Sequence, residues 1–230
     1  MLAPFPLPRT AHAMQYRAVL FDLDGTLLDT LEDLADSTNA ALAVLGFPTR
    51  PTDEYRILVG DGIRNLALRA LPEGHTDAAT VERCVRLTRA EYSRRWDLKT
   101  RPYPGVHELL DELTRRAVRM AILSNKPDAA TREVVAKLLA GWSFGVVLGA
   151  REGVPLKPDP AAALEAAAAL GARPDEVLYV GDTNTDMQTA RAAGMRAVGA
   201  LWGFRTAGEL LASGAQDLIA RPPDLLDLLG

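Results

Sequence analysis

Two carboxylates, Asp22 and Asp24, stand two residues apart in Phe21-Asp-Leu-Asp-Gly-Thr-Leu-Leu-Asp29, where the apolar run Arg17–Phe21 ends. One acid alone at such a place caps a turn. Two acids directed the same way after a buried strand repel each other unless a cation lies between them, and a cage of hard oxygen ligands suits Mg²⁺. Three more polar clusters follow other apolar runs. Ser124-Asn125-Lys126 offers a hydroxyl, an amide and an ammonium, although a polar strand end before a proline is an ordinary turn signal. Lys157 sits in the proline-stiffened stretch Val154-Pro-Leu-Lys-Pro-Asp-Pro160, and a lone lysine usually faces solvent. Gly181-Asp182-Thr-Asn-Thr-Asp186 sets two acids at i and i+4, which is also the pattern of a helix cap with a first-turn acid.

The elements that must position these groups are short apolar runs of strand length. Arg17–Phe21, Val118–Leu123, Gly145–Leu148, Val177–Val180 and Arg196–Ala200 read as buried strands separated by helical stretches, a rhythm that predicts a parallel sheet covered on both faces. Asp159 is expected to cap a helix with Pro160 in its first position and Gly171 closing it; a second helix runs from Thr185 to Ala193 and stops at Gly194. Polar clusters that all follow strands lie at the carboxyl edge of the sheet, where open α/β folds bind ligands. The stretch from Asp29 to Thr100 breaks the rhythm. It reads as helices (31–45, 55–58, 63–71, 77–96) without a convincing strand.

Composition narrows the partners. The chain has 230 residues, 48% hydrophobic and 24% charged, with 26 Lys+Arg against 30 Asp+Glu and a formal charge of −4. This slight acidity, without clustered basic residues, argues against nucleic acid. No charge-free stretch reaches the ~18 to 20 apolar residues that a bilayer requires, so no membrane span is expected. Cys84 is the single cysteine, which permits no internal disulfide and suits a reducing cytoplasm. Residues 1–15 read as a loose leader with Met14 as an alternative start, and neither His12, His75 nor His107 is needed as a ligand. A small molecule is the expected partner, for a monomer or homodimer.

Together the four strand ends resemble the haloacid dehalogenase superfamily in its magnesium-dependent phosphatase branch. Asp22, Asp24 and Thr26 match its first motif, Asp-x-Asp-x-Thr/Val; Ser124, Lys157 and Gly181-Asp182-x-x-x-Asp186 match the second to fourth in order. The resemblance implies an α/β fold, a three-layer Rossmann-like parallel sheet (16–28 and 101–230) with an inserted α-helical cap domain (29–100). It implies Asp22 as the nucleophile that forms an aspartyl phosphate and Asp24 as general acid/base. Mg²⁺ is expected on Asp22, the backbone carbonyl of Asp24 and Asp182, with Asp186 supporting that shell. Ser124, the Asn125 amide and Lys157 are expected to bind the phosphoryl oxygens, with Gly25 leaving room for backbone amides.

Two branches are disfavoured. Hydrolytic dehalogenases lack the second acid that Asp24 supplies, and phosphonate hydrolases need a cap lysine, of which residues 31–98 contain none. Within the cap, Val59-Gly-Asp-Gly-Ile-Arg64 resembles the Gly-x-Gly loop of bacterial phosphoglycolate phosphatases, as do Ser124-Asn-Lys-Pro127 and Leu201-Trp-Gly-Phe-Arg205. This implies 2-phosphoglycolate as substrate, with Arg64 clamping its carboxylate; a solvated helix arginine is the plainer reading. Trp202 reads as a packing residue or as a border of the site. A phosphatase for another small phosphate, a phosphosugar mutase and a non-catalytic phosphate-binding protein remain as alternatives.

Overall fold

The computed structural model describes residues 16–60 and 62–229, so the expected leader, with Met14 and His12, lies outside the described residues. In chain order the strands are β1 (Ala18–Phe21), β2 (Leu28–Asp29), β3 (Arg101–Pro102), β4 (Arg119–Pro127), β5 (Val146–Ala150), β6 (Val177–Gly181), β7 (Arg196–Ala200) and β8 (Asp217–Ile219). The helices are α1 (Leu31–Val44), α2 (Tyr55–Leu58), α3 (Ile63–Ala70), α4 (Ala78–Arg95), α5 (Val106–Arg115), α6 (Asp128–Leu138), α7 (Ala161–Ala169), α8 (Asn184–Ala192) and α9 (Ala207–Ala212). Six strands form a sheet in the order β5-β4-β1-β6-β7-β8, every neighbouring pair parallel.

Both faces of the sheet are covered, and the alternation along β1 shows how. Val19 and Phe21 join Ile122, Leu178 and Val180 in a cluster completed by Leu109, Leu110 and Leu113 of α5 and Val134 of α6. Ala18 and Leu20 face the other way, onto Ala163, Ala166 and Ala167 of α7 and Met187 and Ala190 of α8. Successive strand side chains point to opposite faces, so a strand buried on both sides must be apolar throughout, as Ala18–Phe21 is. The alanines of α7 let that helix lie close on the sheet.

Residues 31–95 are carried by α1 to α4, whose inward residues make a third apolar cluster that includes Leu34, Leu42, Tyr55, Leu66 and Val85. This helical insert leaves and re-enters the core through the antiparallel pair β2–β3, with Asp29 opposite Arg101. Asp33 of α1 ties the two crossings together: its buried carboxylate accepts the amides of Lys99 and Thr100 at 3.0 and 2.8 Å and the Thr100 hydroxyl at 2.8 Å. A buried carboxylate without such donors would be strongly destabilising. No helix among the described residues is long and apolar enough to cross a membrane.

The structure departs from the expected boundaries in three places. β4 continues to Pro127, pairing with Ala150 across a register shift after Leu123, so Ser124-Asn125-Lys126 lies in an irregular strand end; polar residues there had suggested that pairing stops at Leu123. The helix expected to begin at Pro160 starts at Ala161, and the Asp159 carboxylate accepts the Ala161 amide at 2.9 Å. β2, β3 and β8 carry two or three residues each, too few for periodicity to reveal.

Candidate active site

The site sits at the carboxyl ends of β1, β4 and β6, three adjacent strands of the sheet. Asp22 follows β1, and Asp182 follows β6. Asp186 lies in the first turn of α8, where it completes a capping box with Thr183: Asp186 accepts the Thr183 hydroxyl at 2.6 Å and amide at 3.1 Å. Oxygens of Asp22, Asp182 and Asp186 all lie within 4.8 Å of one another, and all three residues are buried. Burial, then the Asp186 charge, raise the Asp22 carboxyl well above its ordinary value, against the pull of Lys157. Burial and Asp186 likewise push Asp182 up to about 7, although the Phe204 amide and the Thr26 hydroxyl bind it. Three buried carboxylates, which one ammonium only partly offsets, are a donor set fit for a hard cation.

Lys157 bridges two of these acids. Its ammonium donates to Asp22 Oδ1 at 2.6 Å and Asp186 Oδ1 at 2.7 Å, and to the Leu123 carbonyl at 3.3 Å. Burial opposes its charge, but Asp186 and Asp22 outweigh it and hold the pKa well above that of an ordinary lysine. Lys157 reaches this place because the Asn125 side chain clamps its backbone: Asn125 Oδ1 accepts the Lys157 amide at 2.9 Å, and Nδ2 donates to the Lys157 carbonyl at 3.1 Å. Ser124 is buried beside it, its hydroxyl accepting the Lys126 amide at 3.2 Å.

Asp24 faces a different cation. Lys126 Nζ donates to Asp24 Oδ1 at 2.6 Å and Oδ2 at 2.8 Å, and to the hydroxyl of Tyr92, a residue of α4 in the helical insert, at 3.0 Å. Burial works against the Lys126 ammonium, yet Asp24 and Tyr92 together raise its pKa above the usual range. Gly25 follows with φ +93°; a Cβ there would lie 2.3 Å from Asp182 Oδ2. Its amide donates to the Leu28 carbonyl at 2.8 Å, and among the described residues the amides of this turn bond to the Leu23 and Leu28 carbonyls, not to that of Asp24. Gly25 thus allows the turn to close on Asp182, while its amide is engaged within the turn.

A cavity of about 390 Å³ opens over these groups, lined by Asp22, Asp24, Ser124, Lys126 and Lys157 from the core and by Arg64, Arg89, Tyr92 and Trp96 from the insert. Arg64 lies along it but pairs with Glu82 of α4, both side chains exposed. Arg89 lines the same cavity, and no partner for it appears among the described residues. Trp202 does not line the cavity; its indole donates to the Thr26 carbonyl at 2.9 Å and so braces the turn that follows Asp24.

Residues 19–200 match the haloacid dehalogenase-like hydrolases. The chain belongs to this family. A phosphoglycolate phosphatase of Pseudomonas putida is 37% identical over 192 residues, covering 82% of this chain and 70% of that protein. One from Xylella fastidiosa is 34% identical over 212 residues, covering 91% of each. A solved structure from Lactobacillus delbrueckii subsp. bulgaricus superposes with a TM-score of 0.89 at 30% identity, covering 94% of this chain and 99% of that one.

In this haloacid dehalogenase-like hydrolase the structure brings Asp22, Asp182, Asp186 and Lys157 into one buried cluster, with Asp24 and Ser124 on the adjoining wall. Sequence reasoning missed the work of Lys126, Tyr92 and the Asn125 side chain. The backbone amide of Asn125 is expected to face substrate; its side chain, for which the sequence gives no role, fixes Lys157 from 32 residues away. Lys126 carried a signal, an ammonium beside Ser124 at a strand end. Tyr92 carried none, since its partner is 34 residues distant on another element.

Proposed function

We propose that this hydrolase is a Mg²⁺-dependent phosphatase that cleaves a small phosphomonoester, 2-phosphoglycolate, through an aspartyl phosphate on Asp22. The observation that carries the reading is the position of Asp22, buried, with Lys157 on one oxygen at 2.6 Å and the Asp182 and Asp186 carboxylates beside it. The names of the relatives from P. putida and X. fastidiosa support the substrate.

In this reading the phosphoryl group enters against Lys157 and the Ser124 hydroxyl, which offset its oxygen charges. The Asp22 carboxylate attacks phosphorus in line as the bond to the substrate alkoxide breaks, and Asp24 gives that alkoxide its proton. Asp24 then takes a proton from water as it attacks the aspartyl phosphate, and the phosphorus–Asp22 bond breaks to release phosphate. Asp22, the Asp24 carbonyl and Asp182 would hold the Mg²⁺ ion, with Asp186 keeping Lys157 in place. Bound there, the ion supplies positive charge that lets a carboxylate approach a phosphate dianion.

The helical insert acts as a lid that excludes water from the aspartyl phosphate. A reducing cytoplasm is the compartment that fits the single buried Cys84. The test is phosphate release from 2-phosphoglycolate, pyrophosphate, hexose phosphates and nucleoside monophosphates, with Mg²⁺ or EDTA, beside Asp22→Asn. Selective turnover of 2-phosphoglycolate that EDTA and the substitution both abolish supports the reading. Preference for another phosphate discards the substrate and retains the chemistry, and isomerisation without phosphate release replaces it with a mutase.

A further inference from the structure

The segment after β7, Trp202-Gly-Phe-Arg205, touches both the acid cluster and the helical insert. Its amide at Phe204 donates to Asp182 Oδ2 at 2.8 Å. Gly203 packs so closely on Asp182 that a Cβ would fall 2.2 Å from the Asp182 Cβ. The Phe204 ring, 5% exposed, belongs to the apolar cluster of the insert, among Leu58, Val59 and Leu66. Arg205, 9% exposed, then crosses to the insert and donates to the carbonyls of Arg56 and, at 2.7 Å, Val59. Arg56 returns the contact, donating to the Gly203 carbonyl at 3.0 Å.

Of the carbonyls that Arg205 takes, that of Arg56 is one a short helix leaves open, and that of Val59 belongs to the extended residue that follows the helix. α2 has four residues, so the carbonyls of its last turn lack the amides that a longer helix would bring. The guanidinium presents a planar fork of donors, which can span two such acceptors where an ammonium reaches one. Gly60, with φ +126°, is the next residue of the insert; its Cβ position lies 3.2 Å from Arg205 Nη2 and 3.2 Å from Thr183 Cγ2, beside the box that holds Asp186. Arg64, on the cavity wall, is four residues further on.

We propose that Arg205 is a positioning residue: it fixes residues 56–60 and 62–66 of the insert against the core. The side chain touches no reacting atom. It acts by setting where the insert wall of the cavity stands relative to the phosphoryl end, so it governs how well the non-transferred part of the substrate is received. The kinetic part of this inference rests on the phosphatase reading; the structural part does not.

The experiment uses the full chain with Arg205→Met and Arg205→Lys, read by hydrogen–deuterium exchange and by steady-state kinetics with 2-phosphoglycolate and with p-nitrophenyl phosphate. Arg205→Met should speed amide exchange over residues 56–66 about tenfold or more, leaving β1 and β6 protected as in the unchanged protein. It should raise KM for 2-phosphoglycolate about tenfold while kcat and the p-nitrophenyl phosphate reaction change little. Arg205→Lys, which keeps the charge and bonds one carbonyl, should fall between. Exchange unchanged over 56–66, exchange raised evenly over insert and core in both variants, or an equal loss on both substrates would each overturn the proposal. If the unchanged protein does not turn over 2-phosphoglycolate, that substrate fails; the exchange arm still decides the structural part, and the kinetic arm is read on the phosphomonoester that it does cleave.

Discussion

The ammonium of Lys126 touches both oxygens of Asp24, at 2.6 and 2.8 Å, and shares its third bond with Tyr92 of the insert at 3.0 Å. Asp24 is therefore held by a cation whose own position depends on α4. Its side chain and that of Lys126 are 17% and 8% exposed, so solvent can do little to replace either. Lys126→Met removes the partner without adding a charge. On the acid/base role proposed for Asp24, we expect kcat on the preferred phosphomonoester to fall about ten- to a hundredfold, since misplacing a catalytic group by about an ångström can cost about a hundredfold. Tyr92→Phe, which takes one of the three bonds and leaves the ion pair, should lower kcat less than tenfold. Steady-state kinetics on the two variants check the order; equal losses would mean that Lys126 is held from the insert alone.

Metal binding should depend on pH through Asp182. Its carboxyl is pushed up to about 7, by burial first and by Asp186 second. A cation binds the ionised form, so protons compete with it below that value. Mg²⁺ affinity should fall as pH drops below about 7, by about tenfold per pH unit for the proton on Asp182 and more where Asp22, whose carboxyl is also raised, holds a proton as well. The same shift sets the sign for stability. A carboxyl that holds its proton more tightly in the folded state loses stability as pH rises from the unfolded carboxylate range, about 4, through the folded value. Without divalent ions the protein should therefore melt lower at pH 7.5 than at pH 5.5 as far as this group is concerned, and Mg²⁺ should narrow the gap. Calorimetric titration and melting curves at both pH values measure it.

The strand-end acids were legible because strand and motif coincide: an apolar run such as Ala18–Phe21 stops where Asp22 begins, and the order of four such stops specifies the family. The helices of the insert were legible from their apolar spacing. What escaped was every contact made across the chain. Asn125 reads as a turn residue; only the pairing of β4 with β5 and the path of the following loop bring it against Lys157. Asp186 reads equally well as a first-turn acid and as a site residue, and its carboxylate makes two contacts, capping α8 through one oxygen and holding Lys157 through the other. Local pattern cannot separate two roles played by one carboxylate.

Specificity should rest on Arg89 more than on Arg64. Both line the cavity, but the Arg64 guanidinium is paired with Glu82, whereas Arg89 has no partner among the described residues. A substrate carboxylate must displace Glu82 to engage Arg64 and need displace nothing at Arg89. Arg89→Ala should raise KM for 2-phosphoglycolate about tenfold and Arg64→Ala about twofold or less, with kcat little changed in either. A larger effect at Arg64 would show that the pair with Glu82 opens when substrate binds. Inorganic phosphate inhibition, which lacks the carboxylate, should stay as it is in both variants.

Gly25→Ala tests whether the turn after Asp24 must close on the acid cluster. At φ +93° any side chain is strained, and the added carbon would stand 2.3 Å from Asp182 Oδ2 and 2.6 Å from the Phe204 ring. Neither neighbour is free to yield: Asp182 is held by the Thr26 hydroxyl at 2.8 Å and by the Phe204 amide at 2.8 Å, and Phe204 is packed into the insert. The left-handed backbone costs about 1 kcal/mol for a non-glycine residue, and overpacking adds about 1 to 3 kcal/mol. We expect a loss of about 2 to 4 kcal/mol in denaturant unfolding together with weakened Mg²⁺ binding. The pairing of the two effects is the informative part. Lost stability with unchanged Mg²⁺ affinity would mean that the turn moves and Asp182 stays, which would place the rigidity of the site in the β6 end of the sheet rather than in the contact between the turn and the acid.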